Sequence, residues 1–360
     1  MPLLVYALVY LVPAFTFVGL YAGGVWTWVI PAVIFGLVPV LELLFPGARV
    51  NVGGVTEAAR RADPRFDALL VGVVPVQVAL VLTLAGRANA LVGWELAGAF
   101  ASVGICCGAL GINVAHELGH RADRGHQRLA KVLLLTSLYQ HFFIEHNRGH
   151  HAHVATPNDP ASARRGEALY PFWARSVVGG WLSAWRIEAE RLARGGHGAW
   201  SFANEMVVFG LVQVAFVAAL ALIAGPRGAL AVVAAATVGV LLLETVNYVE
   251  HYGLSRERLP DGRWERVRPA HSWTSDHLVS RVLLFELTRH ADHHAHPGRP
   301  YAVLRHFDDA PSLPTGYAGM VLLALCPPLF RLLMDRQLAR ESTRLSQRTS
   351  PMAAPSPSPA

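Results

Sequence analysis

The stretch from Leu91 to His120, LVGWELAGAFASVGICCGALGINVAHELGH, decides the fold. Its residues 91–114 carry neither Lys nor Arg and are almost wholly apolar. At 1.5 Å per helical residue they are long enough to cross a bilayer core about 30 Å thick. The same run then delivers His116, Glu117 and His120 at its end. A membrane helix that finishes in two histidines four positions apart puts both imidazoles on one face at the membrane surface, a weak metal signal alone that gains force from the further groups downstream.

Five further segments resemble this one: roughly 3–22, 25–45, 68–85, 205–224 and 229–250. The whole chain of 360 residues is 53% hydrophobic and 16% charged, against a charged share of about 25% in soluble domains. Its mean hydropathy is +0.35. These values exclude a disordered chain and a secreted disulfide scaffold. They predict an all-α integral membrane protein of six transmembrane helices, with one membrane-embedded domain over 1–341. The first segment lacks a basic leader and a small-residue cleavage site, so it reads as a retained span.

Gly23-Gly24, Gly86–Ala90 and Gly225–Gly228 join the six segments as three hairpins. These connectors hold only Arg87 and Arg227, and the remaining Lys and Arg of the 31 in the chain fall on the other side. The positive-inside rule makes that side cytoplasmic, with both termini inside. The cytoplasmic material is then 46–67, 115–204 and 251–341. Leu129–Ile144 and Tyr317–Met334 are apolar but short, the second interrupted at Pro327-Pro328, and read as interfacial or re-entrant pieces covering the domain. Residues 342–360, rich in Ser, Pro and Ala, read as a disordered tail.

All 17 histidines lie at or after His116. Three groups, the first to third histidine boxes, and one single position stand out. They are His116/His120, then His146/His150/His151, then His290/His293/His294, and His251 at the exit of the sixth span. Residues at i, i+3 and i+4 share a helix face. On that basis His116/His120, His146/His150 and His290/His293/His294 are each expected to aim at one point. Nine imidazoles are too many for one ion and suit two, with four or five each. Imidazole suits iron, copper and zinc alike. The bland readings are solvated helix faces, or a lone zinc-protease motif in HELGH with Glu117 as base, which would leave the other groups idle. A metal transporter with a His-rich domain is a further reading, and it would need polar residues through the spans. Those are few, chiefly Glu42, Gln77, Glu95, Gln213 and Glu244.

The residues around these groups carry a resemblance. Asn113–Arg121 (NVAHELGHR), His141–His151 (HFFIEHNRGHH), Val154–Ser162 (VATPNDPAS), Asn247–Leu254 (NYVEHYGL) and Arg289–Pro297 (RHADHHAHP) resemble the membrane-bound alkane 1-monooxygenases. HSW at 271–273, LRHF at 304–307 and PTGY at 314–317 extend the likeness. These enzymes are non-haem di-iron hydroxylases of the fatty-acid desaturase and hydroxylase superfamily, and NYVEHYGL narrows the resemblance to their branch. Arg121 stands where the family commonly has Lys, and Ala291 where it commonly has Ser.

The resemblance implies two non-haem iron ions held by His116, His120, His146, His150, His151, His251, His290, His293 and His294. It implies hydroxylation of linear alkanes to 1-alkanols with O2. Electrons would come from a rubredoxin served by a rubredoxin reductase and NAD(P)H, and the location would be the bacterial inner membrane. Glu117, Glu145, Glu250 and Asp292, beside ligands, are expected to orient them. His271 and His277 are expected nearby, and Glu244 is expected to look toward the channel or the metals. His126, His141, His153, His197, His296 and His306 read as structural or solvated. Alignment with the family puts a channel-depth position at Ile34. A desaturase, or a hydroxylase of fatty acids, alkyl-aromatics or terpenes, is the neighbouring alternative. The basic character of the chain, pI about 9.5, fits an acidic electron carrier and anionic lipid and gives no sign of nucleic acid.

Overall fold

A computed structural model describes residues 1–349. Its architecture is all-α, and two isolated bridges, Arg258–Trp264 and Thr274–Ser312, are the only β pairing among the described residues. Five helices are long and apolar enough to cross a membrane: Leu3–Ala22, Gly24–Leu44, Pro64–Arg87, Gly93–Gly119 and Glu205–His251. The last has 47 residues, about 70 Å if straight and more than twice a hydrocarbon core. It is broken at Gly225, whose φ of 79° and ψ of 167° only glycine adopts easily, and Pro226 restarts the helix. The expected connector Gly225–Gly228 is therefore a single-residue break.

The connectors gather at one end of the bundle. Arg87 donates to the Leu20 carbonyl, Asn89 to Ala224 and Arg227 to Leu91. Glu95 accepts from the Gly24 amide at 2.8 Å and caps its own helix through Val92. Helices Gly93–Gly119 and Glu205–His251 pack closely through small residues. A Cβ on Gly239 would stand 2.6 Å from the Cys107 Cβ, and one on Gly104 would meet Val238 at 2.5 Å. Such contacts replace the hydrophobic effect as the source of helix association in lipid.

The other end of the bundle carries the histidines under a cap of shorter helices. Leu129–Ile144 belongs to this cap and covers the domain as expected. It divides into helix Arg124–Thr136 and the short Phe142–Glu145, and Ala130, Leu133, Leu134 and Ile144 are fully buried against the bundle. Its apolar residues are core. Tyr317–Met334 divides as expected, into helices Tyr317–Ala324 and Pro327–Thr349, with Tyr317, Met320, Phe330 and Met334 buried.

The second of these helices runs on through 342–349, where a tail was expected. An Arg344–Glu341 ion pair and Arg344 bonds to the Asp308 and Ala310 carbonyls hold its continuation. The rest of the expected tail, 350–360, lies outside the described residues. A buried ion network fixes the approach to the third histidine group. Arg289 reaches Asp276 and the carbonyls of Val50 and Leu304, while Tyr6 and Arg281 both bond Glu286.

Candidate metal centre

The nine histidines converge in two groups. His116, His120, His146, His151 and His293 form one, and His150, His251, His290 and His294 form the other. Within each, one nitrogen per ring lies within 4.8 Å of all the rest. His116 and His120 come from the end of helix Gly93–Gly119, and His251 is the final residue of Glu205–His251. The third group rides on helix His290–Ala295.

This division corrects the i, i+4 expectation in two places. His146–His150 is a π turn, whose i→i+5 pattern brings His146 to His151, with Nε2 atoms 3.0 Å apart. His150 faces the other way and meets His294 at 3.2 Å. In the α-helix His290–Ala295, His294 lies about 40° round from His290, while His293 lies about 60° to the other side. His290 and His294 therefore serve one group and His293 the other. The second and third boxes each supply both groups. The adjacent pairs His150-His151 and His293-His294 are the sequence signal for that split.

The donor set fits metal ions. His116 Nε2 lies 2.6 Å from His293 Nε2, and His151 Nε2 lies 3.0 Å from His146 Nε2 and 3.1 Å from His293 Nε2. A ring nitrogen offers one lone pair or one proton, so His151 and His293 cannot satisfy two nitrogens each by hydrogen bonding. A cation at the centre can accept all of them. Burial, then the neighbouring histidines, hold His146, His151, His290, His293 and His294 well below the usual imidazole range. Burial and then the His150 charge bring His120 to about 4. Neutral rings are what metal ligation requires.

Sequence reasoning missed the acid that holds a ligand most directly. Asp159, in the NDPAS stretch, lies 2.9 Å from His150 Nδ1, and both are buried. Ser162 donates to its Oδ2 at 2.5 Å and the Ala161 amide to its Oδ1. Burial works against charge on either partner, but their mutual attraction lifts His150 to about 9 and lowers Asp159 to about 2. Its sequence signal was an Asp followed by Pro and Ser shortly after the second box.

The expected orienting acids fall elsewhere. Only Glu250 touches a ligand ring: its Oε2 is 3.2 Å from His290 Nε2, while Oε1 accepts from the Tyr317 hydroxyl at 2.6 Å. Glu117 pairs with Arg121 at 3.0 Å and accepts from the Tyr301 amide. Asp292 accepts from Arg299, His296 and the Arg305 amide. Both acids tie down the loop after the third group.

Glu145 lies beside Gly149 and Gly180, and burial, then Asp159, raises it to about 8. Glu244 accepts from Tyr139 at 2.8 Å, Ser176 at 2.5 Å and Asn247 at 3.3 Å. His271 pairs with Glu265 and His277 with Ser275. Of the remaining histidines, His126 meets Asp123, His296 meets Asp292, His306 lies against Asp276, and His141 is buried. His153 and His197 are exposed.

A cavity of about 1030 Å³, part of it open to the surroundings, leads away from the histidines. His116, His146, His290 and Glu250 line one end, and Val9, Val12, Ile34, Phe35 and Ile105 line the rest. Apart from the histidines and Glu250, its polar lining is Asn113, Asn247, Ser280 and Tyr317. Glu42 is outside it: its carboxylate accepts from the Ser280 amide and is packed tightly on Gly316.

The family model for fatty acid desaturase matches residues 92–322. Alkane 1-monooxygenase 2 of Pseudomonas aeruginosa is 40% identical over 314 residues, covering 86% of this chain and 83% of that protein. Alkane 1-monooxygenase 1 of Alcanivorax borkumensis is 39% identical over 330 residues, covering 90% and 81%. The hydroxylase component of the xylene/toluene monooxygenase of Pseudomonas putida is 28% identical, covering 92% and 88%. With a metal-ready histidine centre, an apolar cavity and multiple membrane-length helices, the chain belongs to the fatty acid desaturase family and, within it, to the alkane 1-monooxygenases.

Proposed function

We propose that this protein hydroxylates linear alkanes at a terminal carbon, yielding 1-alkanols, with O2 and an external reductant. The observation that carries the reading is the apolar cavity ending on His116, His146 and His290, ligand candidates of both groups. Two iron ions, held by five and four imidazoles, would supply the O2 chemistry. The chain's own residues do the rest. Val9, Val12 and Ile105 exclude water from the substrate. Asp159 fixes the His150 ring through Nδ1. Tyr317 holds Glu250 at the inner end of the cavity.

The surrounding topology is six spans in three hairpins, the long fifth helix counting as two across Gly225, in the bacterial inner membrane with both termini cytoplasmic. The electron donor is a rubredoxin with its NAD(P)H-dependent reductase, docking on the basic cytoplasmic face. Purified protein should contain two irons per chain and convert octane or hexadecane to the primary alcohol with rubredoxin, reductase and NADH. An alkene product, or turnover of methylated aromatics alone, would overturn the linear-alkane reading.

Ile34 is the proposed depth gauge. Ile34→Trp would shorten the longest alkane accepted and leave iron content unchanged, and an identical chain-length profile would sink that role.

A further inference from the structure

Helix Gly24–Leu44 carries a single acid, Glu42, close to its end. Its neighbours Val40, Leu43 and Leu44 are exposed, while Glu42 is buried. An acid in a membrane span is costly and turns to the bundle interior. Here the Glu42 carboxylate accepts from the Ser280 amide at 2.8 Å. Ser280 lies in the first turn of helix Leu278–Leu283, whose N-cap residue His277 makes no side-chain cap. The first amides of a helix have no partner within it, so Glu42 caps this helix from another span.

From Ser280 three further contacts lead to a candidate ligand. The Tyr317 amide donates to Ser280 Oγ at 3.0 Å, and the Tyr317 hydroxyl donates to Glu250 Oε1 at 2.6 Å. The other Glu250 oxygen lies 3.2 Å from His290 Nε2. Ser280, Tyr317, Glu250 and His290 are all buried, and all line the large cavity. Gly316 adds a second hold on Tyr317. Its φ of −70° and ψ of 171° suit any residue, yet a Cβ there would overlap the Glu42 carboxylate. The acid therefore packs on the backbone beside Tyr317 as well as bonding Ser280.

We propose that Glu42 is a positioning residue: reaching across from the second span, it places Tyr317 and through it the Glu250 carboxylate against His290. The inference rests on the hydroxylation reading for the reaction that this placement serves. It ties the span that carries Ile34 and Phe35, both in the cavity wall, to the polar residues of the same cavity. Such a role needs an acceptor at the right distance, and the charge is secondary.

Two conservative variants separate reach from charge. Glu42→Gln keeps the acceptor at full length and loses the charge, whereas Glu42→Asp keeps the charge and withdraws the acceptor by one methylene. Both would be made in the full-length protein in nanodiscs, in the wild-type and Tyr317→Phe backgrounds. Besides alkane turnover, two quantities would be read. One is the 19F resonance of 3-fluorotyrosine incorporated at position 317 of metal-free protein. The other is the Co2+ affinity of the four-histidine group, by chelator competition. Glu42→Gln should match the wild type in both. Glu42→Asp should shift the fluorine resonance and weaken Co2+ binding roughly tenfold, the scale of a displaced ligand partner. In the Tyr317→Phe background it should add no further loss, because the two residues act as one unit. Gly316→Ala, whose Cβ displaces the carboxylate, should reproduce the Asp pattern and decides the matter if Glu42→Asp does not fold. Wild-type values in Glu42→Asp and Gly316→Ala would overturn the proposal. So would a Glu42→Gln variant as defective as Glu42→Asp, or a loss that adds in full to Tyr317→Phe. If the wild type oxidises no alkane, the hydroxylation reading fails, while the fluorine resonance and Co2+ affinity still decide whether Glu42 places Tyr317.

Discussion

The two histidine groups differ in what stands behind them. Among the described residues no carboxylate hydrogen-bonds a ring of the five-histidine group, while unpartnered ring nitrogens occur in both groups, at His120 Nε2, His151 Nδ1 and His293 Nδ1 and at His251 Nδ1 and His294 Nδ1. In the four-histidine group Asp159 holds His150 from behind, through Nδ1, while Glu250 meets His290 at Nε2, the nitrogen that also faces His251. One group thus has an additional donor, and the other has the Asp159 carboxylate behind one of its four rings. A carboxylate behind a ligand raises its basicity and stabilises the higher charge of the bound ion. The asymmetry separates the roles of residues that the sequence groups together, because the second and third boxes feed both sides.

The largest effect should come from an acid that serves neither group in particular. Asp292 is fully buried and accepts from Arg299, His296 and the Arg305 amide, while Arg305 also pairs with Glu57. It fixes the helix that carries His290, His293 and His294. Asp292→Ala strips the part-buried Arg299 guanidinium of its partner, a loss of about 3 kcal/mol for a charged group. Iron should then fall in both groups together, with a lower thermal unfolding midpoint. Loss confined to one group would show that Asp292 acts through a single ligand.

Asp159 should break the symmetry instead. Asp159→Ala removes both the hydrogen bond and the charge behind His150, whereas Asp159→Asn keeps an acceptor and loses only the charge. Removing such a partner weakens metal binding about 10–100-fold, with Asn nearer the lower figure. Site-resolved Mössbauer spectra of 57Fe-loaded protein should show the loss in the four-histidine group alone. Equal loss from both groups would mean that the contrast between them is not functional.

Much of this was legible from residues alone, for identifiable reasons. Runs without Lys or Arg have one physical use, so the apolar helices and the glycine turns at Gly23 and Gly225 could be read directly. The nine imidazoles were legible because clustered histidines at helix ends have few other uses. Their allotment was not, because the i, i+4 rule assumes an α-helix and nothing in EHNRGHH announces the π turn at His146–His150. The roles of the acids failed for a related reason. Neighbours in sequence on a helix point away from one another, so Glu117, Glu145 and Asp292 turn from the point that the adjacent histidines face. Asp159, eight residues beyond His151, comes back to His150 through a loop. That Leu129–Ile144 covers the domain was legible from its short apolar run, but composition does not say how much of that run faces lipid and how much is buried core.

The last test uses pH, and its expected effect is the smallest. In the four-histidine group His150 is lifted to about 9 by Asp159 in spite of burial, so at neutral pH an incoming ion must displace its proton. In the five-histidine group His120 is held near 4, and His146, His151 and His293 well below the ordinary range. Those rings are already neutral. Raising the pH toward 9 should therefore strengthen metal binding in the four-histidine group by about tenfold per unit, as expected for displacement of one proton, and level off above it. Over the same range the five-histidine group should not respond. Chelator competition on 57Fe-loaded protein, read by Mössbauer occupancy at each pH, measures both slopes in one sample. Asp159→Asn should flatten the slope by removing the charge that raises His150. Parallel slopes in the wild type would show that the two groups bind their metals as one unit, whatever their ligands.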